Sequence, residues 1–450
     1  MNEITDKIIY IDGGHSLKGE VIISGAKNSC QNLLAICLLC DGICTLSNFP
    51  DIEDTRVNVK VLEKLGTTIN WDKIKNIITI DTSTINSNYI DPELAIKTTA
   101  SKQFIPPLVL KMGEVITGVS GGDKIGGENR YNLTDNIIEH YRKLGIGTEK
   151  MKDNQIRFYK LDNLENMYQK NRYFGITLQG IISFVLSRSE NQEKLYIENP
   201  SFEPEILQAI DMLKDMGAKI TIEYDSNSHP KSYIIEPVNK LIPTSCIVMS
   251  DPNELMTYVC MTLATRGDVN FKNVDYNDKI QAIINIIKEI GADVTYNQTD
   301  KTLSVSALDK QLNPIDVFAD FWPTKYHTDW GQLLMSICAT IQGDSTYTDN
   351  VYEKRTNNLN DFEKFGINIK YEKGKTRFNE GNHKIVINGQ SSKEFKCANV
   401  TCPDDVRGAS AMLCVALAID GKSELSNLNP IDRGLDNYRE KLRKIGANIY

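Results

Sequence analysis

One segment recurs six times along this chain and limits what it can fold into. The copies are LEKLGTTIN, YRKLGIGTE, LKDMGAKIT, IKEIGADVT, FEKFGINIK and LRKIGANIY, with glycines at Gly66, Gly145, Gly217, Gly291, Gly366 and Gly446. Each runs an amphipathic stretch into an apolar-glycine pair and then into a short alternating stretch. Successive glycines stand 72 to 80 residues apart, so the copies fill all 450 residues. The physical reading is local. A helix ends, glycine takes the left-handed position that a Cβ would penalise, and a strand follows.

A second apolar helix precedes this segment in the repeat, as in Asn32–Leu39, Leu255–Ala264 and Ala409–Ile419. A polar turn and a short strand come after it (TLSNF, LYIENP, DVNFKNV, SELSNL). Each copy therefore predicts β-α-β-α-β-β. A fragment of this size cannot hide both faces of its elements alone, so copies must pack together. Six copies predict an α/β chain of two domains with three repeats each. The unit is longer than the roughly 20–45 residues of thin solenoids. The stretch Tyr224–Pro243, with three prolines, is the expected crossing point between domains.

The formal net charge of -8 and a pI near 5.4 lack the basic character of a nucleic-acid binder. Apolar runs such as Leu33–Leu39 fall far short of the roughly 20 residues of a membrane span. The start, MNEITDKIIYIDGG, has no basic-then-apolar signal pattern. A cytoplasmic location with no nucleic-acid or membrane partner is expected. Of the ten cysteines, Cys37 and Cys40 form a CxxC, but Leu38 and Leu39 place them in a helical pattern with no second Cys/His pair nearby. They read as core thiols. The five histidines are isolated, so no bound metal is expected.

Polar residues that break the repeat near helix starts are the site candidates. Copy one has SGAKNS, with Lys27 and Asn28. Copy two has SGGDKIGGENR, a glycine-rich loop with Asp123, Lys124, Glu128 and Arg130. Copy five has HTDWGQ with Thr328 and Asp329, then YEKR with Arg355. Copy six has PDDVRG with Asp405 and Arg407, then IDRG with Asp432 and Arg433. Helix N-termini beside Lys and Arg favour phosphate and carboxylate. The candidates come from distant copies, which predicts a cleft between domains. Each also has a plain structural role open to it. Asp329 and Asp405 suit helix N-caps, Lys27 a solvated surface, and Arg433 a pair with Asp432. The glycine loop suits a turn, since no GKS/T follows it.

Taken in order, the stretches LKGEVIISGAKN (17–28), GG-x-x-IGG (121–127), EPEI (203–206), TD (328–329), YEKR (352–355), DDVRGASA (404–411) and IDRGLDNYREKLRKIGANI (431–449) resemble the enolpyruvyl (carboxyvinyl) transferases over nearly the whole chain. The nucleotide-sugar branch matches better than the shikimate-phosphate branch. The resemblance implies a two-domain inside-out α/β barrel of six βαβαββ repeats. Residues 27–246 would form one lobe with repeats one to three and the catalytic lid. Residues 1–26 and 247–450 would form the other. It implies transfer of the enolpyruvyl group of phosphoenolpyruvate to an acceptor hydroxyl, with no metal or organic cofactor. UDP-N-acetylglucosamine is the leading acceptor, and another nucleotide or sugar hydroxyl is the alternative. A catalytically weak ligand-binding paralogue is a third reading, and the oligomeric state is left open.

By the same resemblance Lys27 would contact phosphoenolpyruvate. Asn28 and Asp329, with Thr328 beside it, would hold the acceptor hydroxyl, Asp329 as base. Arg407 and Arg433 would clamp the phosphoenolpyruvate end, while Asp405 and Arg355 line the same cleft. Gly121–Gly127 would be the lid. Three departures stand out. Asp123 occupies the place of the family's general-acid cysteine and would need its pKa raised from about 3.9, against the pull of Lys124. Arg130, reached through a gap, and Lys124 are the rival replacements for a lid arginine. Thr99 and Pro252 stand where the family has arginines, which predicts a divergent acceptor side.

Overall fold

The computed structural model describes residues 8–121, 134–187, 193–352, 355, 357–377 and 380–450. Two compact units divide the chain. One takes residues 8–24 and Ser250–Tyr450; the other takes residues 25–121 and 134–249. Each unit carries three four-stranded sheets, and all six sheets share one plan. In the fifth copy, Asp316–Ala319 runs parallel to Gly343–Asp349, which turns antiparallel onto Glu380–Gly389, itself paired with Asn368–Lys375. A parallel pair joined through a helix, then a hairpin, is the β-α-β-α-β-β pattern.

Three repeats are not contiguous in sequence. Ser245–Ile247 supplies the parallel partner of Ile43–Ser47 in the first repeat. Lys18–Ile22 does the same for Asp268–Lys272 in the fourth. Ile9–Gly13 fills the sixth sheet between Gly421–Ser426 and Asn448–Ile449. The expected crossing point at Tyr224–Pro243 is overturned. It contains the strand Pro230–Glu236, paired on both sides within its unit, and the chain changes unit at Met249–Ser250. Pro230 opens that strand, where a missing N–H is tolerated.

Helices lie inside each unit and sheets outside. Every residue of the helices Pro252–Ala264, Gly331–Ala339 and Val406–Ala418 is buried. A helix that is apolar on all sides can exist only in such a place. Its few hydroxyls bond back to the helix: Thr257, Thr262 and Ser410 donate to carbonyls four residues earlier at 2.8 Å. The other unit buries Lys27–Cys37 from Ser29 onward and Phe174–Phe184 from Thr177 onward. The six repeat glycines all have positive φ, from 71° at Gly145 to 100° at Gly217. At Gly217, Gly366 and Gly446 an added Cβ would meet nothing within 4 Å, so backbone angle alone demands glycine there. Cys37 and Cys40 sit in the core, and Cys44 joins them, its Sγ 3.5 Å from that of Cys40. Among the described residues no helix is long and apolar enough to cross a membrane.

Candidate active site

In the unit with residues 250–450, an aspartate stands at the start of each of the three buried helices. Two act as caps. Asp251 Oδ1 accepts from the N–H of Asn253 at 2.7 Å and of Glu254 at 3.3 Å. Asp405 Oδ2 accepts from Gly408 N–H at 2.8 Å. Asp329 does not cap. It lies within the short turn Thr328–Trp330, and its N–H donates to His327 Nδ1 at 3.2 Å. His327 is the cap of this turn, and the Asp329 carboxylate takes other partners. Arg355 Nη2 donates to Oδ1 at 2.5 Å, and Asn253 Nδ2 donates to Oδ2 at 3.3 Å.

Arg355 is 3% exposed, and its Nη1 donates to Thr328 Oγ1 at 3.0 Å. Thr328 and Tyr347 both donate to Asp349 Oδ2 at 2.7 Å, while Gln332 holds the Arg355 carbonyl. Burial pushes the Asp329 carboxyl up, but Arg355, His327, Arg407 and Lys279 together outweigh it and hold the group well below the usual carboxylate range. Asp329 is therefore ionised at neutral pH. Arg407, in the first turn of Val406–Ala418, is 5% exposed, and its Nη1 is buried with no hydrogen-bond partner among the described residues. A buried guanidinium with a spare donor at a helix start is a seat for an anion. Arg433 is half-buried after the short helix Asn429–Asp432, and Asp432 faces Arg439 at 3.5 Å.

In the other unit, Lys27 and Asn28 occupy the first turn of Lys27–Cys37. Lys27 is not a solvated surface lysine. Its side chain is 13% exposed and its Nζ lies 2.9 Å from Asp54 Oδ2. The preceding Gly25 is forced by close approach, since an added Cβ would sit 1.9 Å from the Asn48 carbonyl oxygen. Thr99 is half-buried just before the helix Ser101–Met112, where Thr98 accepts from Ala100 N–H at 3.1 Å. Pro252 takes the first position of its helix, behind Asp251, a place where a missing N–H costs nothing.

Thus Thr328, Asp329, Arg355, Asp405 and Arg407 form one electrostatic cluster, while Lys27 and Asn28 share a turn elsewhere. Asp123, Lys124 and Arg130 lie outside the described residues. Sequence reasoning missed Asp54, Asn253, His327 and the fully buried Lys279. The local signals were an acidic residue in DIEDT, a polar one after Pro252 and the histidine that opens HTDWGQ.

The family described as EPSP synthase (3-phosphoshikimate 1-carboxyvinyltransferase) matches residues 11–442. A protein named UDP-N-acetylglucosamine 1-carboxyvinyltransferase, from Psychrobacter sp. (strain PRwf-1), is 29% identical over 453 residues, covering 98% of this chain and 95% of that protein. The solved structure of the enolpyruvyl transferase NikO from Streptomyces tendae superposes with a TM-score of 0.81 at 18% identity, covering 98% of each chain. EPSP synthase from Acinetobacter baumannii gives 0.73 at 15% identity, covering 98% of this chain and 99% of the other. The fold is that of these structures, the two-domain inside-out α/β barrel.

Proposed function

The chain belongs to the EPSP synthase family and is an enolpyruvyl (1-carboxyvinyl) transferase; from that premise we propose that it moves the enolpyruvyl group of phosphoenolpyruvate to a hydroxyl of UDP-N-acetylglucosamine and releases phosphate. Such a reaction would serve cell-wall precursor synthesis in the cytoplasm. An acid protonates C3 of phosphoenolpyruvate, positive character builds at C2, and the acceptor oxygen attacks while a base takes its proton. The tetrahedral intermediate then reverses the proton transfers and expels phosphate.

The observation that carries the reading is the buried Arg407, whose Nη1 has no hydrogen-bond partner among the described residues, among the charges that act on Asp329. Arg407, with Arg433, is assigned the anionic end of phosphoenolpyruvate, where a guanidinium fork suits carboxylate and phosphate. Asp329 is assigned the base. A carboxylate held so far down is a weak base until part of the positive field around it is cancelled. An anion seated on Arg407 would do that, so substrate binding itself would raise the basicity of Asp329. Arg355, itself steadied by Thr328, holds Asp329, Asp405 caps the helix that bears Arg407, and Lys27 and Asn28 are assigned to the two substrates. Asp123 is assigned the acid, with Lys124 or Arg130 as the lid cation.

A second reading keeps the chemistry and changes the acceptor to another nucleotide or sugar. Thr99 and Pro252, which stand where the family resemblance places arginines, favour it. Phosphate release from phosphoenolpyruvate, with UDP-N-acetylglucosamine beside a panel of nucleotides and UDP-sugars, tests both, with Asp329→Ala as control. Release with UDP-N-acetylglucosamine, lost in the variant, supports the first. Release only with another acceptor supports the second. Silence across the panel while calorimetry detects phosphoenolpyruvate binding would make the chain a ligand-binding paralogue.

A further inference from the structure

The geometry points to Asn253 and Trp330 as a clip that sets the direction of the Asp329 carboxylate, which makes Asn253 a positioning residue for the transfer; this rests on the proposed role of Asp329 as base. The indole Nε1–H of Trp330 can only donate, and it meets Asn253 Oδ1 at 2.9 Å. The amide nitrogen of Asn253 must then face the other way, where it donates to Asp329 Oδ2 at 3.3 Å. An ionised carboxylate can only accept. Both ends of the amide therefore demand the same orientation, and neither would tolerate a flip.

The clip is anchored from three sides. Trp330 is fully buried and Asn253 is 3% exposed. The Asn253 N–H is held by Asp251 at 2.7 Å, and its carbonyl accepts from Thr257 Oγ1 at 2.8 Å. The two carboxylate oxygens of Asp329 thus differ. Oδ1 is bound by the Arg355 guanidinium, while Oδ2 has a neutral amide at a longer distance. Oδ2 keeps more of its basicity and is the oxygen assigned to take the proton. In that step the acceptor O–H bond breaks, its proton goes to Oδ2, and its electron pair forms the bond from oxygen to C2.

The test is steady-state phosphate release by the full chain, using the acceptor that supports wild-type turnover. Asn253→Leu is expected to lower kcat roughly ten- to hundredfold through misplacement of the base, with KM for phosphoenolpyruvate nearly unchanged. Trp330→Phe should lower kcat less, and the double variant should be no worse than Asn253→Leu alone. Asn253→Asp keeps an acceptor for the indole but sets a second carboxylate beside Asp329. Its kcat profile should gain an acid limb raised by about one pH unit or more, an effect that loss of packing does not produce. Wild-type kcat in Asn253→Leu, or an unmoved acid limb in Asn253→Asp, would overturn the clip alone. A wild-type chain silent with every acceptor would instead overturn the transfer reading on which it stands.

Discussion

The starts of the buried helices differ between the two units. In the unit with residues 250–450 they carry Asp251, Asp329 and Asp405; in the other unit, Ala26, Ala100 and Tyr173 precede the equivalent helices and none of these makes a side-chain cap. Within the first set the roles split again. Asp251 and Asp405 spend their carboxylates on helix N–H groups, whereas His327 takes the N–H of Asp329 and leaves that carboxylate to Arg355 and Asn253. One residue type near the start of three buried helices is a helix cap twice and the partner of a buried arginine once. Neighbouring donors and acceptors decide which.

The strongest way to break that distinction is Asp329→Ala. We expect phosphate release to fall by about a hundredfold or more, and stability to fall by about 3 kcal/mol because Arg355 keeps a buried charge without its partner. Activity and denaturant midpoints measured on one preparation check both. Arg407→Met should behave differently. It removes a charge-assisted contact to the substrate, raising KM for phosphoenolpyruvate about ten- to hundredfold. Its urea midpoint should fall less than that of Asp329→Ala, since it loses the attraction to Asp329 but, among the described residues, no hydrogen bond at Nη1.

A pH series sharpens the comparison further. The folded-state carboxyl of Asp329 is depressed, so its contribution is present above the unfolded value near 3.9 and is lost as pH falls towards the folded value. Urea unfolding between about pH 5 and 2 should show a shallower acid decline in Asp329→Asn than in wild type. An unchanged slope would mean that other carboxylates carry the effect. The smallest expected changes are at the caps. Asp251→Ala and Asp405→Ala should each cost about 1 kcal/mol, and Asp251→Ala should also lower kcat, because it loosens Asn253. A larger stability loss in either than in Asp329→Ala would erase the distinction between a capping aspartate and one in a buried ion pair.

The sequence by itself determined the repeat, its length and the ends of its helices. The six glycines required nothing beyond backbone sterics, which are local, and all six adopt positive φ. It also disclosed the charged residues of the cluster, because motifs at helix starts keep their residue types in order along the chain. Only the tertiary structure decided which strand completes which repeat. Ser245–Ile247 reaches back to Ile43–Ser47, and strand pairing over such a distance leaves no mark on either segment. The partners of Lys27 and Asp329 were hidden for the same reason. Asp54 lies 27 residues from Lys27 and Asn253 lies 76 residues from Asp329. A hydrogen bond depends on where two side chains meet in space, and an asparagine after a proline reads the same whether it faces water or holds the carboxylate of a buried ion pair.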